Sequence, residues 1–179
     1  MSKQITFFRI AAGLACILIF VGSCSKSTEP GVPALANKVS LPDNMQVTAG
    51  EHFAVPVNFE NNVPLAGISV PLKFSNDYVR CDSVSYIGSR VSAFLFKPSF
   101  VKKDSIKIGA IDATGVMPGS GLLATVYFWA FGNAPESDMV LDTTYLYPSF
   151  TLVFADTAIV PNLITPEFKA GKVHIKTQL

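Results

Sequence analysis

The stretch that decides the fold runs from residue 47 to residue 74 and reads VTAGEHFAVPVNFENNVPLAGISVPLKF. Large apolar residues take alternate positions in both halves, which is the period of a strand with one buried face. An Asn/Pro loop separates the halves. Two such strands predict the centre of a β-sandwich, in which two sheets pack with their inner faces in contact. The predicted inward residues are Phe53, Val55, Val57 and Phe59, followed by Ile68, Val70, Leu72 and Phe74.

Further strands, separated by turn residues, are predicted on both sides of this pair. The nine predicted strands lie near 39–48, 53–59, 66–74, 79–87, 92–97, 105–112, 122–131, 139–154 with an interruption at Pro148, and 168–176. Such a series predicts an all-β sandwich or jelly roll. The run 122–131 is apolar on both faces and is predicted to be a central strand, with Val126 and Phe128 in the core. Pro56 and Pro71 cannot donate a ladder hydrogen bond, so a bulge or an unpaired stretch is predicted at each.

The residue order within these strands resembles that of cohesin domains. Residues 47–74 are similar to the family's opening, a G-D-x-V-x-V-P-V strand, a loop and an A-G-x-x-x-x-L-x-Y/F strand. SIKIGAIDATG (105–115), LLATVYFWAF (122–131) and GKVHI (171–175) are similar to three later strands. The resemblance covers residues 39–175. It implies a nine-stranded jelly-roll β-sandwich of two sheets, with the two strands of 47–74 in opposite sheets and an arch between them.

The resemblance also implies a non-catalytic binding module with a protein partner. Cohesins bind dockerin modules through a flat face made by their third, fifth, sixth and eighth strands. Carried onto this chain, that face would include part of 94–97 together with Ser69, Pro71, Lys73, Lys107 and Gly109. Lys73 and Lys107 are also predicted to point outward because they alternate with inward apolar residues. Phe96 is the aromatic candidate; Phe94 shares its face and Leu95 takes the other, and the pattern leaves open which face is inward.

The first 24 residues have the pattern of a lipoprotein signal peptide. Lys3 and Arg9 lie at the start of an eleven-residue apolar run, 10–20, which is too short to span a bilayer. The sequence VGSC, ending at Cys24, follows this run as a lipobox would. We expect cleavage before Cys24 and lipidation of its thiol, so that the lipid is the chain's only membrane contact. An ordinary secretory signal with an incidental cysteine is the alternative.

This pattern divides the chain into three segments. Residues 1–23 are the expected signal peptide, 24–38 the lipidated cysteine with a Pro/Gly-rich tether, and 39–179 the folded domain. Ser25 after the cysteine fits the outer-membrane default of Gram-negative lipoproteins. We therefore expect a cell-envelope protein anchored in the outer membrane, and either face of that membrane is compatible with the sequence.

The composition offers no catalytic constellation. His52 and His174 are the two histidines, and neither lies at metal-ligand or triad spacing. The chain has 14 Lys and Arg against 13 Asp and Glu, and loss of Lys3 and Arg9 with the signal makes the net charge −1, so nucleic acid is not an expected partner. Cys81 then has no cysteine to pair with except the lipidated one, and it is interpreted as a buried thiol.

The acidic residues stand singly, so no glycosidase pair, metal site or cofactor is predicted. A calcium ion at Asn76–Asp77, Asp104 or Asp112 is a weaker alternative to a turn-forming role. Two further functions stay open: a carbohydrate-binding module for polysaccharide, which needs a row of exposed aromatic residues, and a structural lipoprotein without a ligand. Trp129 is interpreted as a core or semi-buried residue in preference to a sugar platform. Tyr145 and Tyr147 are candidates for a gripping pair.

Overall fold

The computed structural model describes residues 35–143 and 151–178, and within these ranges the chain forms strands and no helix. Accordingly, the described residues contain no helix that could cross a membrane. The predicted signal peptide, the lipidation site Cys24 and the pair Tyr145 and Tyr147 lie outside the described residues. The strands are β1 (Lys38–Ser40), β2 (Met45–Thr48), β3 (His52–Asn61), β4 (Leu65–Phe74), β5 (Val79–Ser85), β6 (Ser99–Val101), β7 (Ser105–Val116), β8 (Gly119–Ala130), β9 (Ser137–Thr143), β10 (Val153–Asp156), β11 (Leu163–Ile164), β12 (Glu167–Lys169) and β13 (Gly171–Lys176).

These strands form two sheets that face each other. The five-stranded sheet has the order β12-β1-β3-β8-β5. The larger sheet has the order β11-β10-β4-β9-β13-β2, and β7 pairs with β4 on one side and with β6 on the other. β10 and β9 pair with the same edge of β4, the first along residues 65–69 and the second along residues 72–74. The predicted jelly-roll sandwich is confirmed.

The two strands of 47–74 lie in opposite sheets, as predicted. Residues 62–64 form the arch between them, and the predicted inward residues are buried except Phe53, which is half-buried. Two ring contacts join the sheets across the core. Phe59 meets Phe154 edge to face at 6.2 Å between ring centroids, and Phe74 meets Phe128 at 5.3 Å. Each sheet thus contributes large apolar side chains to one core, which burial stabilises.

β8 has the central position predicted for 122–131, since β3 pairs with one of its edges and β5 with the other. Val126 and Phe128 are fully buried. The ladder between β3 and β8 shifts register just after Val57, one residue beyond Pro56. Pro71 keeps its register with β7 and falls between the segments of β4 that pair with β10 and β9. Both prolines therefore lie where the pairing is interrupted on one side.

The number and limits of the strands differ from the nine predicted, and the described residues form thirteen. Segments 39–48 and 168–176 each divide into two strands in different sheets. The division of the first falls at Leu41–Pro42, where proline cannot continue a ladder. Gly171 begins β13 where no side chain fits, because a Cβ there would lie 2.6 Å from the Cβ of Leu41. The two terminal segments change sheets together, β1 beside β12 and β2 beside β13, both in parallel.

The predicted strand at 92–97 is wrong. Residues 87–93 form consecutive turns, in which the N–H of Ser89, Ser92 and Phe94 each donate to the carbonyl three residues earlier. Phe96 makes only an isolated bridge with Ile111, and the edge strand next to β7 is β6, residues 99–101. The apolar alternation at 94–96 reflects one buried phenylalanine before a segment that lies along β7. The segment predicted as 139–154 contains β9 and β10 at its two ends.

Candidate partner-binding face

The outer surface of β10, β4, β7 and β6 is called the open face here. Antiparallel partners point to the same side of a sheet, so each pair forms one rung across the face. The rungs between β4 and β7 are Gly67–Ile111, Ser69–Gly109, Pro71–Lys107 and Lys73–Ser105. β10 continues two of them, with Ala155 beside Gly67 and Val153 beside Ser69. On the other edge Phe96 stands beside Ile111 and Phe100 beside Lys107.

Alternation along the strands explains why these residues face away from the core. Ile68, Val70 and Leu72 in β4, and Ile106 and Ile108 in β7, are all buried inside the sandwich. Their neighbours must point to the other side of the sheet. Four strands at about 4.8 Å spacing and three steps of two residues make the face roughly 14 Å wide and 20 Å long. This area suits one rod-like segment of a partner chain.

The structure brings the six predicted site residues together on this face. Ser69 and Lys107 are half-buried and Lys73 is exposed, whereas Pro71 and Gly109 are buried. Phe94 is buried, whereas Leu95 is 92% exposed and Phe96 61% exposed, so the prediction that Phe94 and Phe96 share one face is wrong. The chain bends at Leu95 and does not continue as a strand, and the bridge with Ile111 places Phe96 on the outer side of the sheet. All six lie on four successive rungs of one surface, and their contact with a partner stays a prediction.

Gly109 owes its burial to the segment that precedes β6. A Cβ at Gly109 would lie 3.0 Å from Cγ of Pro98, and the Gly109 N–H donates to the Pro98 carbonyl at 2.9 Å. The Tyr86 hydroxyl lies 2.9 Å from the Gly109 carbonyl oxygen and 3.1 Å from that of Pro98. Burial raises the pKa of Tyr86 to about 12, so this donor stays protonated. The close approach of Pro98 favours glycine here, because a Cβ would require Pro98 to shift.

Asp112 forms the side-chain turn that the sequence predicted for it, and it also positions the segment before β6, a role that the sequence reasoning missed. Its carboxylate accepts hydrogen bonds from the Leu95 N–H at 3.0 Å, the Thr114 N–H at 2.8 Å and the Thr114 hydroxyl at 2.6 Å. These bonds, first among them that of the Thr114 side chain, lower the pKa of Asp112. The Phe96 carbonyl accepts from the Ile111 N–H at 2.8 Å. Phe96 is therefore held on the face from both sides. In the sequence, the Asp-x-Thr spacing at 112–114 indicates this turn, because an aspartate often accepts a hydrogen bond from the N–H two residues later.

Arg90 anchors the turns that lead into this segment. Its guanidinium donates to the Asn61 side-chain oxygen and the Gly119 carbonyl, both at 2.8 Å, and to the Met117 carbonyl at 2.6 Å. It also lies over the Phe59 ring, 4.5 Å from the centroid. The turns at 87–93 are thereby tied to the arch side of the sandwich. These contacts hold the turns in place, and the chain runs from there through Leu95 and Phe96 to the open face.

Exposed apolar side chains are concentrated at one end of the open face. Ile111 is 53% exposed and shares a rung with Phe96, whereas Phe100 is 58% exposed and stands two rungs away, beside Lys107. On the opposite edge, Leu163 pairs with Ala155 and is 75% exposed. We call the single rung that holds Phe96, Ile111, Gly67, Ala155 and Leu163 the apolar end. A surface of this kind favours contact with apolar groups of a partner.

The loop 157–162 beside β10 carries two further exposed residues, Ile159 and Val160. Asp156 fixes the base of this loop by accepting from the N–H of Ala158 at 3.1 Å and of Asn162 at 2.9 Å. The Asn162 side chain adds a third bond at 2.6 Å, and it is the main reason that the pKa of Asp156 is lowered. Hydrogen bonds to Asp156 therefore hold this loop in place, and its apolar side chains are exposed next to the open face.

Trp129 lies on the outer surface of the other sheet. His52 and Arg80 are its partners on β3 and β5, so they flank the indole from opposite sides. The His52 ring is stacked at 6.0 Å between centroids, and the Arg80 guanidinium lies 5.1 Å from the indole centroid. Asp82 joins them, 3.1 Å from His52 Nδ1 and 3.0 Å from Arg80 Nε. Trp129 is semi-buried, as predicted, and an imidazole and a guanidinium lie against its indole.

Neither metal chemistry nor thiol chemistry is evident in the part of the chain that the structure describes. No group of three His, Cys, Asp or Glu side chains there could hold a metal ion. Cys81 is buried, which confirms its interpretation, and burial raises the pKa of its thiol to about 11. The thiol is therefore protonated and unreactive near neutral pH.

Solved structures with a similar fold are known, although the sequence matches no characterised family. A scan against protein-family models and a search of curated proteins find no match. The seventh ScaB type I cohesin of Pseudobacteroides cellulosolvens has a TM-score of 0.65 at 15% identity, covering 79% of this chain and 93% of that chain. The non-cellulosomal cohesin of Archaeoglobus fulgidus has a TM-score of 0.64 at 20% identity, covering 78% and 91%. A chain of the Clostridium thermocellum cohesin–dockerin complex Coh-OlpA–Doc918 has a TM-score of 0.62 at 16% identity, covering 78% and 99%.

Two facing sheets, an arch between β3 and β4 and a flat outer face define an all-β jelly-roll sandwich module. The described part of the chain has the cohesin fold, which confirms at the level of the fold the resemblance found in residues 39–175.

Proposed function

We propose that this chain is a non-catalytic binding module that holds a protein partner on the open face. The observation that carries the proposal is a row of exposed apolar residues on one side of a sheet whose other side is buried. Phe96 and Ile111 share one rung of this row, and Phe100 stands two rungs away. Asp112 and Gly109 hold this row in place, so a partner would not need to order it on binding. Preorganised apolar side chains are the usual centre of a protein interface.

A dockerin-type module is the first partner class to test, since the solved relatives with this fold include cohesin–dockerin complexes. We further propose that the leader pattern delivers the module to the cell envelope, anchored by lipid at Cys24. A polysaccharide ligand is not favoured, because the Trp129 indole is already engaged by the His52 ring and the Arg80 guanidinium.

The test compares the full chain with a face variant and a matched control. In the face variant, Phe96→Ser and Ile111→Thr remove apolar groups from the open face. In the control, Tyr127→Ser removes an exposed aromatic residue from the outer side of the five-stranded sheet. Each protein is used to recover partners from envelope extract and culture supernatant, and bound proteins are quantified by mass spectrometry.

We expect a protein to be recovered by the parent and the control, and its yield to fall by about tenfold or more with the face variant. Equal recovery by all three would refute the face. If the parent is retained on insoluble polysaccharide and the Tyr127→Ser control is not, the ligand is a carbohydrate and the proposed protein partner is wrong.

A further inference from the structure

Positive charge is gathered at the open face. The segment 97–107 contains four lysines and one acid, Asp104, although the whole chain has 14 basic and 13 acidic residues. Lys73 on β4 adds a fifth lysine to the same surface. The charge that the chain lacks as a whole is therefore concentrated at one place. The lysines are Lys73, Lys97, Lys102, Lys103 and Lys107.

Four of these lysines lie at the end of the face opposite the apolar end. Lys107 shares a rung with Pro71, and Lys73 shares the next rung with Ser105. The turn that joins β6 to β7 contains Lys102 and Lys103, and the Lys102 N–H donates to the Ser105 carbonyl at 2.8 Å. We call Lys73, Lys102, Lys103 and Lys107 the lysine end. Asp142, opposite Lys73 on β9, and Asp104 are the acids beside it.

Lys97 belongs to the apolar end and has a local role. Its ammonium donates to the carbonyl of Ser92 at 3.0 Å and to that of Phe94. These bonds tie it to the turn before Phe96, so its charge is directed at the backbone of its own loop. The open face thus has a polarity along β4 and β7, from exposed apolar residues at Ile111 to ammonium groups at Lys73 and Lys107.

We propose that the partner segment is acidic, with apolar side chains over the apolar end and a group of carboxylates over the lysine end. This inference rests on the proposed function and specifies the chemistry of its partner. Complementary charge across a protein interface sets the orientation of the partner and raises the rate of association. Because Lys73 and Lys107 lie on neighbouring rungs, two carboxylates about one helical turn apart can approach both.

Among anionic ligands, the shape of the open face favours a protein segment over a membrane surface or a polysaccharide. β4 offers only small or compact groups between the two edges, Gly67, Ser69 and Pro71, and the taller Ile111 and Phe96 stand beside them. A rod such as an amphipathic helix can lie along β4 against these side chains. A planar bilayer would touch only the tallest groups, and a sulfated polysaccharide has no apolar side chains for the apolar end.

Two synthetic helical peptides of 14 residues, about 21 Å long, serve as probes. Both carry one leucine face, which is flanked by glutamates in the first and by lysines in the second. Their binding to the full 179-residue chain is measured by fluorescence anisotropy at low and at high salt. The parent is compared with Lys73→Glu/Lys107→Glu and with Lys38→Glu/Lys176→Glu, a control with the same charge change on β1 and β13. Matching melting temperatures show that the variants are folded.

We expect the parent to bind the Leu/Glu peptide about tenfold or more tightly than the Leu/Lys peptide, and added salt to weaken this binding. The Lys73→Glu/Lys107→Glu variant should reverse the preference, whereas the control should keep it. Equal binding of both peptides, binding of neither, or an unchanged preference in the variant would overturn the proposal. Tighter binding of anionic phosphatidylglycerol vesicles or of heparin than of the Leu/Glu peptide would also overturn it.

The proposed function can survive this failure. If Lys73→Glu/Lys107→Glu still recovers the envelope partner and Phe96→Ser/Ile111→Thr does not, the open face stands and its partner is not acidic. If both variants recover it as the parent does, the face itself is refuted and the acidic partner with it.

Discussion

Placing one carboxyl group at Val57 tests the arrangement of the core most directly. Val57 lies in β3 opposite Ala124 of β8, and both are fully buried between the two sheets. The Val57 side chain points inward, as alternation predicts, and has no contact with solvent. In Val57→Asp the new carboxyl has apolar neighbours on the core side, so it must be buried without a charged partner or unfold the strand.

Three contributions give the magnitude. Loss of the buried valine removes about 2 kcal/mol of burial energy, and burying an unpaired polar group costs a further 1–3 kcal/mol or so. Keeping the carboxyl neutral at pH 7, about three units above its ordinary pKa, costs about 4 kcal/mol more. The total, roughly 7–9 kcal/mol, matches the whole stability of a typical domain, about 5–15 kcal/mol. The folded-state pKa is raised here, so the third contribution disappears as the pH falls to about 4.

Urea unfolding of the full chain, followed by circular dichroism at pH 7 and pH 4, checks these values. Val57→Asp should be mostly unfolded at pH 7 and should recover part of its stability at pH 4. Asn58→Asp is the matched control, since Asn58 is the next residue, half-buried on the outer side of the sheet. Its free energy of unfolding should stay within about 1 kcal/mol of the parent. A Val57→Asp midpoint equal to the parent's, or a larger loss at pH 4 than at pH 7, would refute the reasoning.

Two further predictions concern anchoring and the open face. Cys24→Ala should leave the protein in the soluble fraction without an incorporated acyl label, whereas the parent fractionates with membranes; a labelled variant in the membrane fraction would contradict lipidation. Asp112→Ala should speed amide exchange at Leu95 several-fold, because the Leu95 N–H donates to this carboxylate. Exchange at Val57 should not change, because the Val57 N–H makes no bond to Asp112. Since the pKa of Asp112 is lowered in the folded chain, its contribution is present above the ordinary aspartate value and lost as the pH falls below about 4. The Leu95 amide of the parent should therefore lose protection in acid, and constant protection from pH 6 to pH 3 would count against this role.

Local alternation was sufficient to predict the strands at the centre of the fold. In β3 and β4 every second side chain is apolar over eight residues, so the inner face follows from the period of a strand alone. The same reasoning placed Lys73 and Lys107 outward. Alternation did not predict features that depend on contacts between segments far apart in the sequence. The change of sheet between β1 and β2 depends on parallel pairing with β12 and β13, more than a hundred residues away.

The segment that carries Phe96 shows why the open face could be predicted only in part. Its alternation at Phe94, Leu95 and Phe96 is that of a strand, but a strand would need a continuous ladder with β7. Asp112 instead takes the Leu95 N–H, which no local rule assigns to it. Pro98 then packs directly on Gly109, where a Cβ would lie 3.0 Å from the Pro98 Cγ and require it to shift. The exposure of Phe96 is thus set by two residues of β7. A substitution at either should alter partner binding without touching the partner, since each acts by holding the segment in place.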